Sequence, residues 1–498
     1  MTSLRCLTTQ IGSETWRGGA PGLLMGQSAY RHNIDVLGGK KRKAHPPGGS
    51  GHASRGRVTP PPALPAITPG EAAALASVVL VLAATALLLD PRAHASFDAP
   101  KRLAALVGAS LAAIATFALV RQPRSLPETW RALPTAARVA LCAGAAALVW
   151  YGVGCALSPR RPASADTLRA IALLSLLVPV GASRAVGRGK NVLVATFLGV
   201  TSLNATVSLL QSRGIQPFRL ETFGTRNETG AFAGNVGYLA LTVAFALVLA
   251  IGISISASRK RVRAGAALLL LLLAVALVAN RNLTALAAVA AGTTAFLGAR
   301  FGRRSLVGIA GVAVAFLAVV LAIAPLRHRA ADAVSAVRAG DWDRLTTYRT
   351  GAWAAALEMA RERPITGWGP GTYAAEFVPH RLKAELRARR RFVNPLVTSS
   401  YSEAHCDYLQ AFAEAGIPGG VAALVATGAL LVAVGRKARE PGPSRIEAAI
   451  LFGLLVAGAA AALTWFPLQR PISAVPLLLA AGRAWRLSAG SPEERLSR

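Results

Sequence analysis

Apolar runs of roughly 16 to 26 residues alternate with short polar breaks that carry arginine, from about residue 71 to about residue 485. A bilayer core about 30 Å thick takes roughly 20 apolar residues per helix, and fewer where a short helix is sheltered by neighbours. About twelve transmembrane helices are therefore expected. They fall at approximately 71–89, 103–120, 136–157, 168–183, 191–210, 231–256, 263–279, 283–300, 305–324, 417–435, 446–466 and 471–485. Only Asn280, Arg281 and Asn282 separate the seventh from the eighth, so one broken hairpin is an alternative there, and counts of about ten to thirteen fit the same pattern.

Two segments depart from the alternation. Residues 1–70 are rich in Gly, Pro, Ser and Arg, with Lys40-Lys41-Arg42-Lys43 and Pro60-Pro61-Pro62. Such a stretch buries too little apolar surface to offset its ordering entropy, and a disordered basic tail is expected. It lacks the h-region and cleavage site of a signal peptide, so the first apolar run serves as the targeting signal, and Met25 is a second candidate start. The other exception is residues 325–416, a polar loop between the ninth and tenth spans. There the spacing of Trp353, Leu357 and Ala360 predicts an amphipathic helix over Tyr348 to Arg363, closed by Pro364 and a glycine-rich turn. A second helix is predicted from Ser402 to Ala415. Ser402 would cap it, His405 would share a face with Leu409 and Phe412, Gly416 would end it, and Pro418 would open the next span.

Composition agrees. Of 498 residues, 53% are hydrophobic and 16% charged, which is too apolar for a set of soluble domains and too long for a single anchor. The expected fold class is all-α: a polytopic membrane protein with about 12 transmembrane helices and one large external loop containing short helices. A formal charge of +32 would suggest nucleic acid in a soluble chain. Here the arginines lie mostly between apolar runs, where they orient helices and meet lipid phosphates, so a bilayer and not nucleic acid is the expected partner. Loops that are inside when the N-terminus is inside hold more of the basic residues. That asymmetry predicts cytoplasmic tails at 1–70 and 486–498, spans over 71–324 and 417–485, and an external 325–416. Cys6, Cys142, Cys155 and Cys406 show no paired spacing, and neither a disulfide framework nor a zinc site is implied.

The 349–419 stretch carries a resemblance. Arg349-x3-Trp353-x3-Leu357-x-Met359, Arg363-Pro364-Ile-Thr-Gly367-Trp-Gly369-Pro-Gly371-Thr-Tyr373, Ala404-His405-x-Asp407-Tyr408-Leu409-Gln410 and Glu414-x-Gly416-Ile-Pro-Gly419 follow in an order that resembles the O-antigen ligase and polymerase superfamily. Phe223-Gly224-Thr-Arg226-Asn227-Glu-Thr-Gly230 and Asn280-Arg281-Asn282-Leu-Thr284 are similar to two weaker upstream motifs of that family. The chain departs from the pattern in three places. Cys406 stands where the family usually has Asn after the histidine, Asn280-Arg281-Asn282 stands for Ser-Arg-Gly, and Asn-Glu follows Arg226 in place of Asn-Pro-Asn.

The resemblance implies a glycosyltransferase of surface polysaccharide or lipopolysaccharide biosynthesis in a bacterial cytoplasmic membrane. Its donor would be a polyprenyl-pyrophosphate-linked glycan, and its acceptor a hydroxyl on a glycan, lipid or protein. Pyrophosphate leaves with growing negative charge, which arginine can hold bidentately, so neither metal nor cofactor is implied. Arg226, Arg281 and Arg349 are the candidate clamp, and His405 is the candidate base for the acceptor hydroxyl. Asp407, Glu414, Gly367, Gly369 and Gly371 are candidate supporting residues, the glycines for turn geometry and close packing under the next helix.

Each has a structural alternative. The alternative for His405 is a satisfied interfacial histidine, for Arg281 a snorkelling residue, for Arg226 a soluble loop residue, and for Arg349 a partner of Glu358 or Asp343. The run Arg381, Lys383, Arg387, Arg389, Arg390, Arg391 reads as a solvated or lipid-head-binding face. Ligation of a finished glycan, repeat-unit polymerisation and protein glycosylation share one chemistry. The single large loop favours ligation by family analogy. A transporter or flippase is the alternative of another class, but the spans are nearly free of acidic relay residues.

Overall fold

The computed structural model describes residues 67–93, 95–118, 130, 133–217, 228–392 and 401–490. Helices supply all the regular structure among them, and no strand occurs. The first, α1 (Pro69–Leu87), begins on a capping box. Thr68 Oγ1 accepts from the Glu71 amide, the Glu71 carboxylate accepts from the Thr68 amide, and Pro69 fills the first helical position. There follow α2 (Asp98–Ala118), α3 (Thr135–Ala156), α4 (Arg161–Ser175), the short α5 (Leu177–Gly181), α6 (Arg184–Ser212), α7 (Val236–Ser256), α8 (Lys260–Asn280), α9 (Leu283–Phe301) and α10 (Leu306–Ala322).

Ten stretches among the described residues are long and apolar enough to cross a membrane, fewer than the twelve expected. The difference has two sources. Leu283–Ala322 counts as one 40-residue stretch. It is in fact α9 and α10 joined by a 3-10 turn at Gly302–Ser305, with Gly308 of α10 folded back against Leu297 of α9. The last helix, α17 (Pro471–Ser488), is not among the ten; it holds Pro476 within it, carries Arg483 and Arg486, and is largely surrounded by protein.

At the centre of the bundle α7 is buried almost continuously from Leu239 to Ala250, as a helix that is apolar all round must be. Lipid supplies no hydrophobic drive between spans, so close packing has to hold them. The crossing of α9 with α16 (Arg445–Ala462) shows how. A Cβ on Gly292 or on Gly453 would lie 2.7 Å from the other residue's carbonyl oxygen.

The polar loop folds into a lobe of its own: α11 (Ala324–Ala339), α12 (Trp342–Leu345), α13 (Thr350–Glu362) and α14 (Tyr373–Ala388). Its small core joins Ala352, Ala355, Ala356 and Met359 of α13 to Tyr373 and Phe377 of α14 and to Ala404 and Ala413. The predicted first helix is thus present with its ends trimmed. The predicted second is corrected at its start: α15 (Asp407–Lys437) begins at Asp407 with Cys406 as N-cap, not at Ser402. Residues 401–406 form a turn instead, in which the Ala404 amide donates to Gln410 Oε1 (2.9 Å) and Glu403 is ion-paired to Arg470. As expected, the helical path breaks at Gly416 (φ 65°, ψ −175°) before Pro418 and the span beyond. The expected disordered tail at 1–70 falls outside the described residues up to residue 66.

Candidate functional site

The glycine turn and the Gly416 break are two halves of one joint. Ile417 N donates to Pro364 O (2.6 Å), Trp368 N to Ala413 O (3.1 Å) and Gly369 N to Glu414 O (2.9 Å). Gly367 sits at φ 67°, where a Cβ would meet Glu414 O at 2.3 Å, and a Cβ on Gly416 would meet Ile365 O at 2.4 Å. Positive φ and this closeness together leave room only for glycine. Gly369 and Gly371 press on Ser164 and Thr167 of α4. The Glu414 carboxylate inside the joint accepts from Tyr373 N (3.3 Å) and Gln410 Nε2 (3.0 Å). These supporting residues fix the lobe to the start of α15.

That attachment delivers the 401–406 turn to the loop between α16 and α17, residues 464–470. Asp407 accepts from Leu468 N (3.1 Å) and Gln469 Nε2 (3.3 Å), tying helix start to loop. Its carboxylate serves this joint, not the histidine two residues before it. His405 lies at φ 54°, outside the helix, so it does not share the face of Leu409 and Phe412. Its half-buried ring packs edge-on against Tyr401 (5.3 Å between centroids), Trp465 (5.3 Å) and Phe466 (5.0 Å). Trp465 and Phe466 are themselves stacked, 4.9 Å apart at 11°.

A guanidinium closes each side of that stack. Arg349 lies over Trp465 at 5.2 Å and donates through Nη1 to Thr464 O (2.6 Å). Arg470 lies over Phe466 at 5.3 Å and over Tyr238 of α7 at 4.7 Å, with Nη1 on Asp98 (2.8 Å) and Nη2 on Glu403. Thr464 also hydrogen-bonds Thr284 Oγ1 at 3.1 Å, which brings the α8–α9 turn to the same loop. Arg281 occupies that turn, exposed, at φ 52°. His405, Arg349 and the Arg281 turn therefore converge on residues 464–465; Arg226 lies outside the described residues.

Backbone strain gathers at the same place. Of the six described non-glycine residues with positive φ, Arg281, Thr347, Tyr348 and His405 border this site. Each such conformation costs on the order of 1–3 kcal/mol and persists only where its surroundings hold it. Tyr401 shows one such hold: its hydroxyl donates to Tyr348 O (3.0 Å) while its ring touches His405. Cys406, in the position of the familiar asparagine, is buried, and burial pushes its thiol above the ordinary value, so it stays protonated and a poor nucleophile at neutral pH. Among the described residues no group of three or more His, Cys, Asp or Glu is arranged to hold a metal ion.

Residues 266–424 match the family model described as O-antigen ligase. This part of the chain belongs to the O-antigen ligase superfamily. The superfamily's members are glycosyltransferase-type enzymes, ligases and polymerases, of surface polysaccharide biosynthesis. No curated protein matches the chain. The matched segment contains Arg281, Arg349 and His405 and stops short of residues 464–470.

Those last residues, with Glu403 and Tyr401, are what sequence reasoning missed. One signal was available: Thr464-Trp465-Phe466-Pro467-Leu468-Gln469-Arg470 is a polar and aromatic break between two apolar runs. Nothing in its spacing says that it floors a site built from residues far earlier in the chain.

Proposed function

We propose that this protein transfers a glycan from a polyprenyl-pyrophosphate carrier to an acceptor hydroxyl on the external face of the membrane. The observation that carries the reading is the convergence of half-buried His405, Arg349 and the turn that holds Arg281, all within the segment that matches O-antigen ligase, on the loop at residues 464–465. In this reading His405 takes the proton of the acceptor hydroxyl as its oxygen attacks the anomeric carbon. The bond from that carbon to the pyrophosphate oxygen breaks, and the pyrophosphate leaves with its lipid. Arg281 and Arg349 receive the developing negative charge, bidentately and without a proton to lose. The aromatic box around His405 keeps the imidazole in one orientation, which favours proton transfer along one line. Ligation of a finished glycan is favoured over polymerisation by the single large lobe, again as analogy. The loop charges support an external lobe and cytoplasmic termini.

The test is transfer in reconstituted vesicles from a polyprenyl-pyrophosphate-linked donor, with wild type compared to Arg281→Ala and Arg349→Ala at equal folded amounts. Transfer by wild type that falls at least about tenfold in each variant is the expected result. A single addition per acceptor marks a ligase, and a ladder of repeat units a polymerase. Wild type that moves the intact lipid-linked donor across the bilayer without joining it to anything overturns the reading in favour of transport.

A further inference from the structure

Helix α14 has two apolar faces, and the protein covers only one. Tyr373, Phe377, His380 and Ala384 are buried toward α13. On the opposite side Val378, Leu382 and Leu386, four residues apart, form a stripe that is 43%, 53% and 79% exposed. At 1.5 Å per residue the stripe runs about 12 Å. Leucines so exposed on an external lobe need a partner that is apolar where they touch it.

The helix starts at the level where two spans end. Glu376 in its first turn pairs with Arg160 (2.6 Å), which stands between the end of α3 and the start of α4. Trp150 of α3 donates to Ile365 O (2.8 Å) in the turn that precedes α14. The stripe is flanked by cations. Arg381 is held by Glu385 (3.1 Å), Lys383 by Glu362 (2.6 Å) and Arg390 by Asp343 (3.7 Å). Arg389 and Arg391 make no ion pair with a described residue. An apolar stripe bordered by Lys and Arg is the pattern of a helix lying in a membrane interface. A second copy of the same face is disfavoured, because it would set arginines against arginines.

We propose that α14 is an interfacial helix whose Val378, Leu382 and Leu386 bed into the headgroup layer of the bilayer, with Arg389 and Arg391 holding phosphates of anionic phospholipid. The consequence is that the lobe is seated on the membrane from two sides, through the Gly367–Gly416 joint and through this stripe. The inference is independent of the reaction assigned above.

The test is photo-crosslinking of the full chain in vesicles of equal parts phosphatidylglycerol and phosphatidylcholine, with a benzophenone amino acid at position 382 or 386. Lipid adducts read by mass are expected at both positions, with phosphatidylglycerol adducts outnumbering phosphatidylcholine adducts about fivefold against the even bulk ratio, the factor for about one retained basic contact. In the double variant Arg389→Glu, Arg391→Glu the enrichment is expected to disappear while adducts remain. The absence of lipid adducts, crosslinks between two copies of the protein, or adducts that follow the bulk lipid ratio in wild type would each overturn the proposal.

Discussion

His380 and His405 lie 25 residues apart in the same lobe, and the contrast between them is that of a histidine enclosed by the fold and the histidine proposed as base. His380 is fully buried on α14. Nδ1 faces Glu376 O at 2.6 Å, Nε2 faces the Glu362 carboxylate at 3.2 Å, and Trp368 packs edge-on at 4.6 Å. Both ring nitrogens are occupied, and the backbone is regular helix. His405 sits in a strained turn, half-buried, with aromatic rings on three sides and a guanidinium beyond each of two of them. Strain of this kind clusters at functional sites, and with the half-buried ring it supports the role proposed for His405.

The widest separation between the two follows from that. His405→Ala is expected to lower transfer by about a hundredfold to ten-thousandfold, the usual range for a lost general base, with the thermal midpoint unchanged. His380→Ala is expected to act on the other axis. It removes both ring contacts from a fully buried site at a cost of about 1–3 kcal/mol, and activity falls only as far as the folded fraction does. Turnover per folded molecule beside a thermal melt reads both. Full activity in His405→Ala sinks the proposed role.

Next in size is the joint. Gly367→Ala places a Cβ against the Glu414 carbonyl in a left-handed conformation, so both strain and clash oppose it. A loss of at least about 2 kcal/mol in lobe stability is expected, by chemical denaturation followed with Trp368 fluorescence. A neutral result would show that the turn can open without the lobe, and would weaken the link from turn to site.

Arg470 tests what holds His405 in place. Arg470→Gln removes the pair with Glu403 and Asp98, which is incompletely buried because Asp98 is 46% exposed. A cost of about 1–3 kcal/mol is expected, below that of a fully buried pair. Faster amide exchange at residues 401–406 should accompany a fall in kcat with little change in donor KM. Arg470→Lys keeps the charge but reaches one carboxylate at a time, and should restore part of kcat. Equal losses in kcat and in stability for both variants would leave Arg470 a structural residue only.

Apolar runs were enough to place the spans, because a bilayer imposes one length scale on every helix. Glycine and proline chemistry likewise placed the break at Gly416, with Pro418 opening the helix beyond it. The start of α15 was misplaced for the opposite reason. Ser402 is a good local cap, but Arg470, at the N-cap of α17, pairs with Glu403 in a turn that lies outside the helix. The family resemblance named His405, Arg281 and Arg349 one at a time. Their meeting depends on Thr464 and Trp465, a contact that no spacing within the lobe encodes. His380 was invisible for a simpler reason: a histidine in an amphipathic helix shows no sign of which carboxylate the fold will bring to it.

The smallest effect expected is on acid stability, and it returns to the first of the two histidines. Glu362 accepts from Lys383 Nζ at 2.6 Å and faces His380. Burial on its own raises this carboxyl, but the Lys383 ammonium and the His380 ring outweigh it and hold it below its ordinary value. A carboxyl depressed in the folded state adds stability that is complete above its unfolded value, about 4.3, and is lost as the pH falls through the folded value. Peptides from α13 and α14 should therefore lose amide protection, corrected for intrinsic exchange, as the pH falls below about 4.3. Glu362→Gln cannot titrate there, so its protection should be lower at neutral pH and flatter across the acid range. If both proteins show the same acid response, the carboxylate that senses pH is not the one beside His380, and the satisfied histidine contributes packing to the lobe and nothing more.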